Sequence, residues 1–172
     1  MSKLQSFRDL RVYQELKRLH LMVHERSLAF PKFELYELGS QIRRSSNSAP
    51  TQLAEGWGSR HTNIYIESIN RAMGEARETQ HHLDVAHKKR YVCDEDFGSL
   101  DAAYDSCGRM LESLHQSLSG WRDTTRTGME VHESRTPYPT APVDTWPEIV
   151  QIAFDTDNAL PSPAPDTQHP TP

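Results

Sequence analysis

Two Glu-x-x-His pairs, Glu78 to His81 and Glu112 to His115, carry the residue types with which some helical bundles hold a di-iron centre. Such ligands must converge inside the bundle. One segment has the apolar stripe Tyr65, Ile69, Ala72, Ala76, Thr79, Leu83, Ala86, and the other has Phe97, Leu100, Tyr104, Cys107, Leu111, Leu114, Leu118, Trp121. Against those stripes Glu78 takes heptad position c, His81 f and Glu112 b, all facing outward. The pairs read as surface neighbours at helical spacing, and no metal site is expected. His81, His82 and His87 likewise lack convergent partners. Covalent chemistry has no better support: there is no Gly-x-Ser-x-Gly elbow, no Gly-rich phosphate loop, and Cys93 and Cys107 form neither a CxxC pair nor a zinc spacing. Both cysteines read as free thiols, and the expectation is a protein that is not an enzyme and needs no cofactor.

What remains is positive charge. Residues 1 to 90 carry 15 Lys and Arg against 10 Asp and Glu, with six of the nine histidines, whereas from Asp123 onward the count is 2 against 8. The overall charge of −5 is therefore a property of the C-terminal part, and the body is mildly basic. The candidate nucleic-acid-binding residues are Arg11, Lys17 and Arg18, the Arg43-Arg44 pair, Arg60, and the run Lys88-Lys89-Arg90. Arg43 and Arg44 fall at positions b and c of their helix, reaching toward solvent or a second subunit, where guanidinium forks suit phosphate oxygens. Few exposed aromatics accompany these charges, so binding would rest on phosphate contacts, depend steeply on salt and read bases little. The competing expectation is a protein-interaction scaffold in which the same arginines serve subunit contacts.

The elements that position these groups are four amphipathic helices. Ser6 with Asp9 forms a capping box ahead of the stripe Val12, Leu16, Leu19, Val23, Phe30, which Pro31 stops. A second helix from near Phe33 has the a/d seam Leu35, Leu38, Ile42, Ser45, Ala49, Gln52, Gly56, with Pro50 on its outward side as a kink. Gln41, Ser48 and Glu55 recur every seven residues beside that seam, a polar ladder sheltered from open water that satisfies itself and neighbouring donors. After a Gly56-Trp57-Gly58 turn, Thr62 caps the third helix, whose second apolar flank, Ile66 and Met73, predicts self-association. Asp94-Glu95-Asp96 opens the fourth. Short connections give an all-α, antiparallel up-down-up-down four-helix bundle over residues 1–122. Nine of the 11 prolines lie beyond Asp123, so residues 123–172 read as a disordered acidic tail in which Trp146–Phe154 is the one segment suited to docking. The N-terminus has no apolar run and no segment approaches the roughly 20 apolar residues of a membrane span, which predicts a cytoplasmic protein without membrane contact.

The order Phe30-Pro31, Glu34, Leu38, Gln41-Ile42-Arg43-Arg44, Ser48, Pro50, Ala54-Glu55-Gly56 and Arg60, continued by Gly74 and Glu78, resembles the four-helix bundle family of 23S ribosomal RNA intervening-sequence proteins over about residues 4 to 121. Gln52 stands where that family usually has Asn, Ser68 where an aromatic is usual, and Glu75 where Ser normally follows the Gly. The resemblance implies a structural polar motif of Gln41, Ser48, Gln52, Glu55, Gly56 and Glu78. It also implies a homo-oligomer, a pentamer first of all, with RNA or DNA as partner. It further implies a likeness in fold to accessory proteins of diversity-generating retroelements, whose five bundles form a basic, nucleic-acid-binding barrel.

Overall fold

The computed structural model describes residues 5–59 and 61–128, with side chains as far as Gly120. The docking segment and most of the acidic tail therefore lie outside the described residues, as do Arg60 and the Trp121 side chain. A 3-10 turn, Phe7–Asp9, leads into α1 (Arg11–Leu28), α2 (Leu38–Gly56), α3 (Thr62–Lys88) and α4 (Asp94–Gly128). No helix among the described residues is long and apolar enough to cross a membrane. The Ser6 and Asp9 capping box forms, but it caps the 3-10 turn, and Leu10 separates that turn from α1.

Cross-helix contacts fix the directions. His20 meets Ser46 and Ser27 meets Arg43, so α1 and α2 run antiparallel. Ser45 with Thr79, and Gly56 with Ser68, do the same for α2 and α3. Gln80 with Asp101 and Asp105, then His87 with Asp94, do so for α3 and α4. Arg26 paired to Asp96 at 3.0 Å closes the ring of helices between α1 and α4. All four stripes enter one core, with Leu16, Leu19, Tyr65, Ile69, Leu83 and Leu111 among its fully enclosed side chains. Helix formation here is tertiary in origin: each helix buries one arc of its surface, and that burial rather than propensity holds it.

Four expectations are corrected. The segment after Pro31 does not start α2 at Phe33; it makes irregular turns through Glu37, and α2 begins at Leu38. Thr62 is the first helical residue and His61 the N-cap; the Thr62 hydroxyl is buried without a hydrogen bond among the described residues. Pro50 is buried, not outward, and α2 continues through it. Ile66 and Met73 are buried in the core of this chain, so they supply no spare apolar flank.

The last two turn on one geometric fact. On α2 the buried residues are Leu38, Ile42, Ser45, Ala49 and Gly56 from the a/d seam, joined by Gly39, Ser46 and Leu53 at the e positions and Pro50 at b. A helix with two neighbours buries two faces: the seam meets α3, and the e side meets α1. On α3 the e positions are Ile66, Met73 and Gln80, and Gln80 reaches α4.

Candidate functional site

At the end of the bundle where α1 leads into α2, the chain folds back on itself around Arg43. Its guanidinium donates to Ser27 Oγ at 3.0 Å and to the Leu35 carbonyl at 2.7 Å, tying α1, the connection and α2 together. Ser27 itself donates to the His24 carbonyl, so its lone pairs are free to accept from Arg43. Gly39 leaves the room: a Cβ there would stand 2.9 Å from Arg43 Nη1 and 3.0 Å from the Glu34 carbonyl oxygen. The b position that pointed Arg43 to solvent is therefore corrected. It is half-buried and engaged, because the buried arc of α2 has turned toward it.

Glu34 sits beside this clasp, 6% exposed, and accepts from Lys89 Nζ at 2.5 Å, with Tyr91 Oη at 3.5 Å. The Lys89 ammonium holds the Glu34 carboxyl below the usual carboxylate range, against the opposing effect of desolvation, and Glu34 in turn raises Lys89. Phe30 packs on Tyr91, ring centres 5.5 Å apart. The α3 terminus that presents these residues is a Schellman ending, with Tyr91 N–H on the Ala86 carbonyl and Arg90 N–H on that of His87. Arg90, at φ 62°, occupies the left-handed position that glycine usually takes.

The other nominated cations divide accordingly. Arg18 forks onto Glu15, and Lys88 pairs with Asp84 at 2.6 Å. Arg11, Lys17, Arg44 and Arg90 are exposed and have no ion pair among the described residues. Lys17 and Arg44 flank two adjoining hollows between α1 and α2, of about 430 and 630 Å³, which share His20, Asn47, Thr51 and Glu55. The larger is open and polar, lined also by His24, Ser48 and Gln52. The smaller is mostly apolar, walled by Phe7, Tyr13, Leu21, Pro50 and Ala54.

His20 forms part of the floor. Ser46 Oγ donates to the Arg43 carbonyl at 3.1 Å and lies 2.9 Å from His20 Nδ1, an arrangement that is complete when His20 Nδ1 carries the proton. Burial first, and then the neighbouring His24, lower the His20 pKa, which favours the neutral ring.

The polar ladder is not sheltered. Gln41 and Glu55 are exposed, and neither they nor Ser48 and Gln52 find a side-chain partner among the described residues. Gln41, Ser48 and Glu55 occupy the g side of α2, which the turned arc leaves outside, and Gln52, although in the seam, is half-buried. Gly56 has a plain structural reason: a Cβ would lie 2.5 Å from Ser68 Cβ and 2.8 Å from Tyr65 Cδ2. Glu78 is exposed, 3.6 Å from His82, and Glu112 is exposed as well. Among the described residues no three His, Cys, Asp or Glu side chains converge as metal ligands would. Residues overlooked in the sequence include Ser27, Gly39 and Ser46. The recurrence of Gly39, Ser46 and Leu53 at seven-residue spacing was the signal that would have found α2's second face.

None of the curated proteins matches the chain. The model of one family, described as 23S rRNA-intervening sequence protein, matches residues 8–113, which takes in α1, α2, α3 and most of α4. That span contains the Arg43 clasp, the Glu34–Lys89 pair and the α1–α2 hollows, and by it the chain belongs to the 23S rRNA-intervening sequence protein family.

Proposed function

We propose that this protein is a non-enzymatic, cytoplasmic, self-associating helical bundle, a pentamer in the first instance, that holds RNA or DNA by its phosphates along the α1–α2 face. The observation that carries the reading is the sorting of its cations: Lys17 at the apolar hollow and Arg44 at the adjoining polar hollow stand exposed, with no ion pair among the described residues, while Arg18, Arg43, Lys88 and Lys89 are engaged within the chain. Asn47, Ser48, Thr51 and Gln52 add neutral donors along the same hollow, suited to phosphate and sugar oxygens rather than to base edges.

Titration of labelled RNA and DNA at two salt concentrations tests it. Replacing Lys17 and Arg44 together by Ala is expected to weaken binding and flatten the salt dependence by about two phosphate contacts, a slope change of about 1.4 to 1.8. Replacing Lys88 and Lys89 should do less, since both already have carboxylate partners. Unchanged affinity in the Lys17 and Arg44 variant would remove this reading.

A second reading, a scaffold whose arginines meet another subunit, is favoured by the row Gln41, Ser48 and Glu55 beside Arg44, polar side chains without a side-chain partner among the described residues. Light scattering on the same variants separates the two. If Arg44→Ala yields a smaller species that binds RNA as before, the scaffold is the better description.

A further inference from the structure

The apolar hollow between the start of α1 and the second half of α2 is mostly hydrophobic, with Lys17 on its α1 wall, Glu55 on its α2 wall and His20 in its floor. Leu21, which lines it, is 59% exposed, a large aliphatic side chain left open beside a ready-made apolar recess. A partner fitting this site has a short apolar face and a carboxylate to set against Lys17 on the α1 wall. The chain contains one such segment outside the described residues. In Trp146-Pro147-Glu148-Ile149-Val150-Gln151-Ile152-Ala153-Phe154, helical spacing places Trp146, Ile149, Val150, Ala153 and Phe154 on one face and Glu148, Gln151 and Asp155 on the other. From residue 136 to the C-terminus there is no Lys or Arg, while Asp144, Glu148, Asp155 and Asp157 surround the segment with carboxylates.

Connectivity favours the same pairing. Because the helices alternate in direction, the end of α4 lies at the bundle end that holds the start of α1 and the end of α2. The chain leaves α4 at Gly128, and the residues between it and Trp146 span at most about 60 Å when extended. The hollow thus lies toward the bundle end from which the chain departs, within the reach of that connection. We propose that Trp146–Phe154 docks in this hollow as an amphipathic helix-in-groove ligand of its own chain, with its carboxylates toward Lys17 and its apolar face against Leu21, Pro50 and Ala54. Docked there, the segment shelters the apolar recess and lies alongside the groove that Arg44 borders. The docking stands or falls independently of nucleic-acid binding.

Fluorine NMR of the full chain labelled with 5-fluorotryptophan tests it, since Trp57, Trp121 and Trp146 give three resonances and Trp146→Phe identifies its own. The expected result is a Trp146 resonance displaced from its denatured position, with a reduced shift on exchange from water to heavy water. Leu21→Glu and Lys17→Glu, both at exposed positions, should return it to the denatured position, while Ile64→Glu, exposed on α3, should leave it displaced. Circular dichroism of each variant verifies that the helices persist. A Trp146 resonance at the denatured position in the parent chain overturns the proposal. So does displacement that survives both groove variants, or displacement lost on dilution, which would make the docking intermolecular.

Discussion

Arg43 and Arg44 are adjacent and alike in chemistry, yet the first is held by Ser27 and the Leu35 carbonyl while the second is free in solvent. Arg43→Ala is expected to lower stability by about 1–3 kcal/mol, because a charged donor is lost from the Leu35 carbonyl and a cavity is left over Gly39. Arg44→Ala should stay within about 0.5 kcal/mol, as surface substitutions usually do. Urea denaturation of the two variants makes the comparison. The identity of the pair was legible in the sequence, but its division was not, since a heptad position fixes direction only once the neighbouring helices are known. Glu34 invites a pH test. Its carboxyl is depressed by Lys89, so its contribution is present above its ordinary value of 4.5 and is lost as pH falls through the lower folded value. Lys89 is raised, so its share is present below 10.5 and lost as pH climbs through the higher folded value. Melting temperatures between pH 2 and 6 should therefore fall more steeply for the parent than for Glu34→Gln.

At the scale of elements, the four stripes were readable because a 3.6-residue period over more than four turns leaves little freedom in the choice of face. What the period did not give was the second face. On α2 the buried arc extends from the seam to the e positions, which at once draws Pro50 in, half-buries Arg43 and turns Gln41 and Glu55 out. The same extension on α3 absorbs Ile66 and Met73. Small residues at the α2–α3 contact set the helix separation: Ser45 meets Thr79 at 2.9 Å, and Gly56 lies against Ser68, whose hydroxyl turns back to the Ile64 carbonyl. Gly56→Ala is expected to cost about 1–3 kcal/mol, since the atom it meets is a Cβ fixed to the facing backbone, and Ala76→Leu a similar amount by overpacking. Glu78→Ala, at an exposed position, should cost less than either. Thermal melts of the three order them, and a larger loss for Glu78→Ala would mean that α3 is turned differently.

In the whole molecule the two ends of the bundle differ. One is closed by the Arg43 clasp, the Glu34–Lys89 pair and Phe30 on Tyr91, and the other carries the apolar hollow beside Lys17. The apolar period made the helical class legible, and composition the charge contrast between body and C-terminal part. The hollow was not, because it arises where the 3-10 turn at Phe7–Asp9 and α2 approach, and no single segment encodes that. Cys107 turns this closed core into an instrument. The thiol is fully enclosed, and burial raises its pKa to about 12, so neither access nor thiolate is available while the bundle is shut. Cys93 is exposed on the α3–α4 connection. A disulfide reagent should modify one thiol per chain at once and the second at a rate proportional to the population of opened molecules. The slow phase would then read the opening free energy under native conditions without denaturant, and Arg43→Ala should hasten it while Arg44→Ala leaves it as it was.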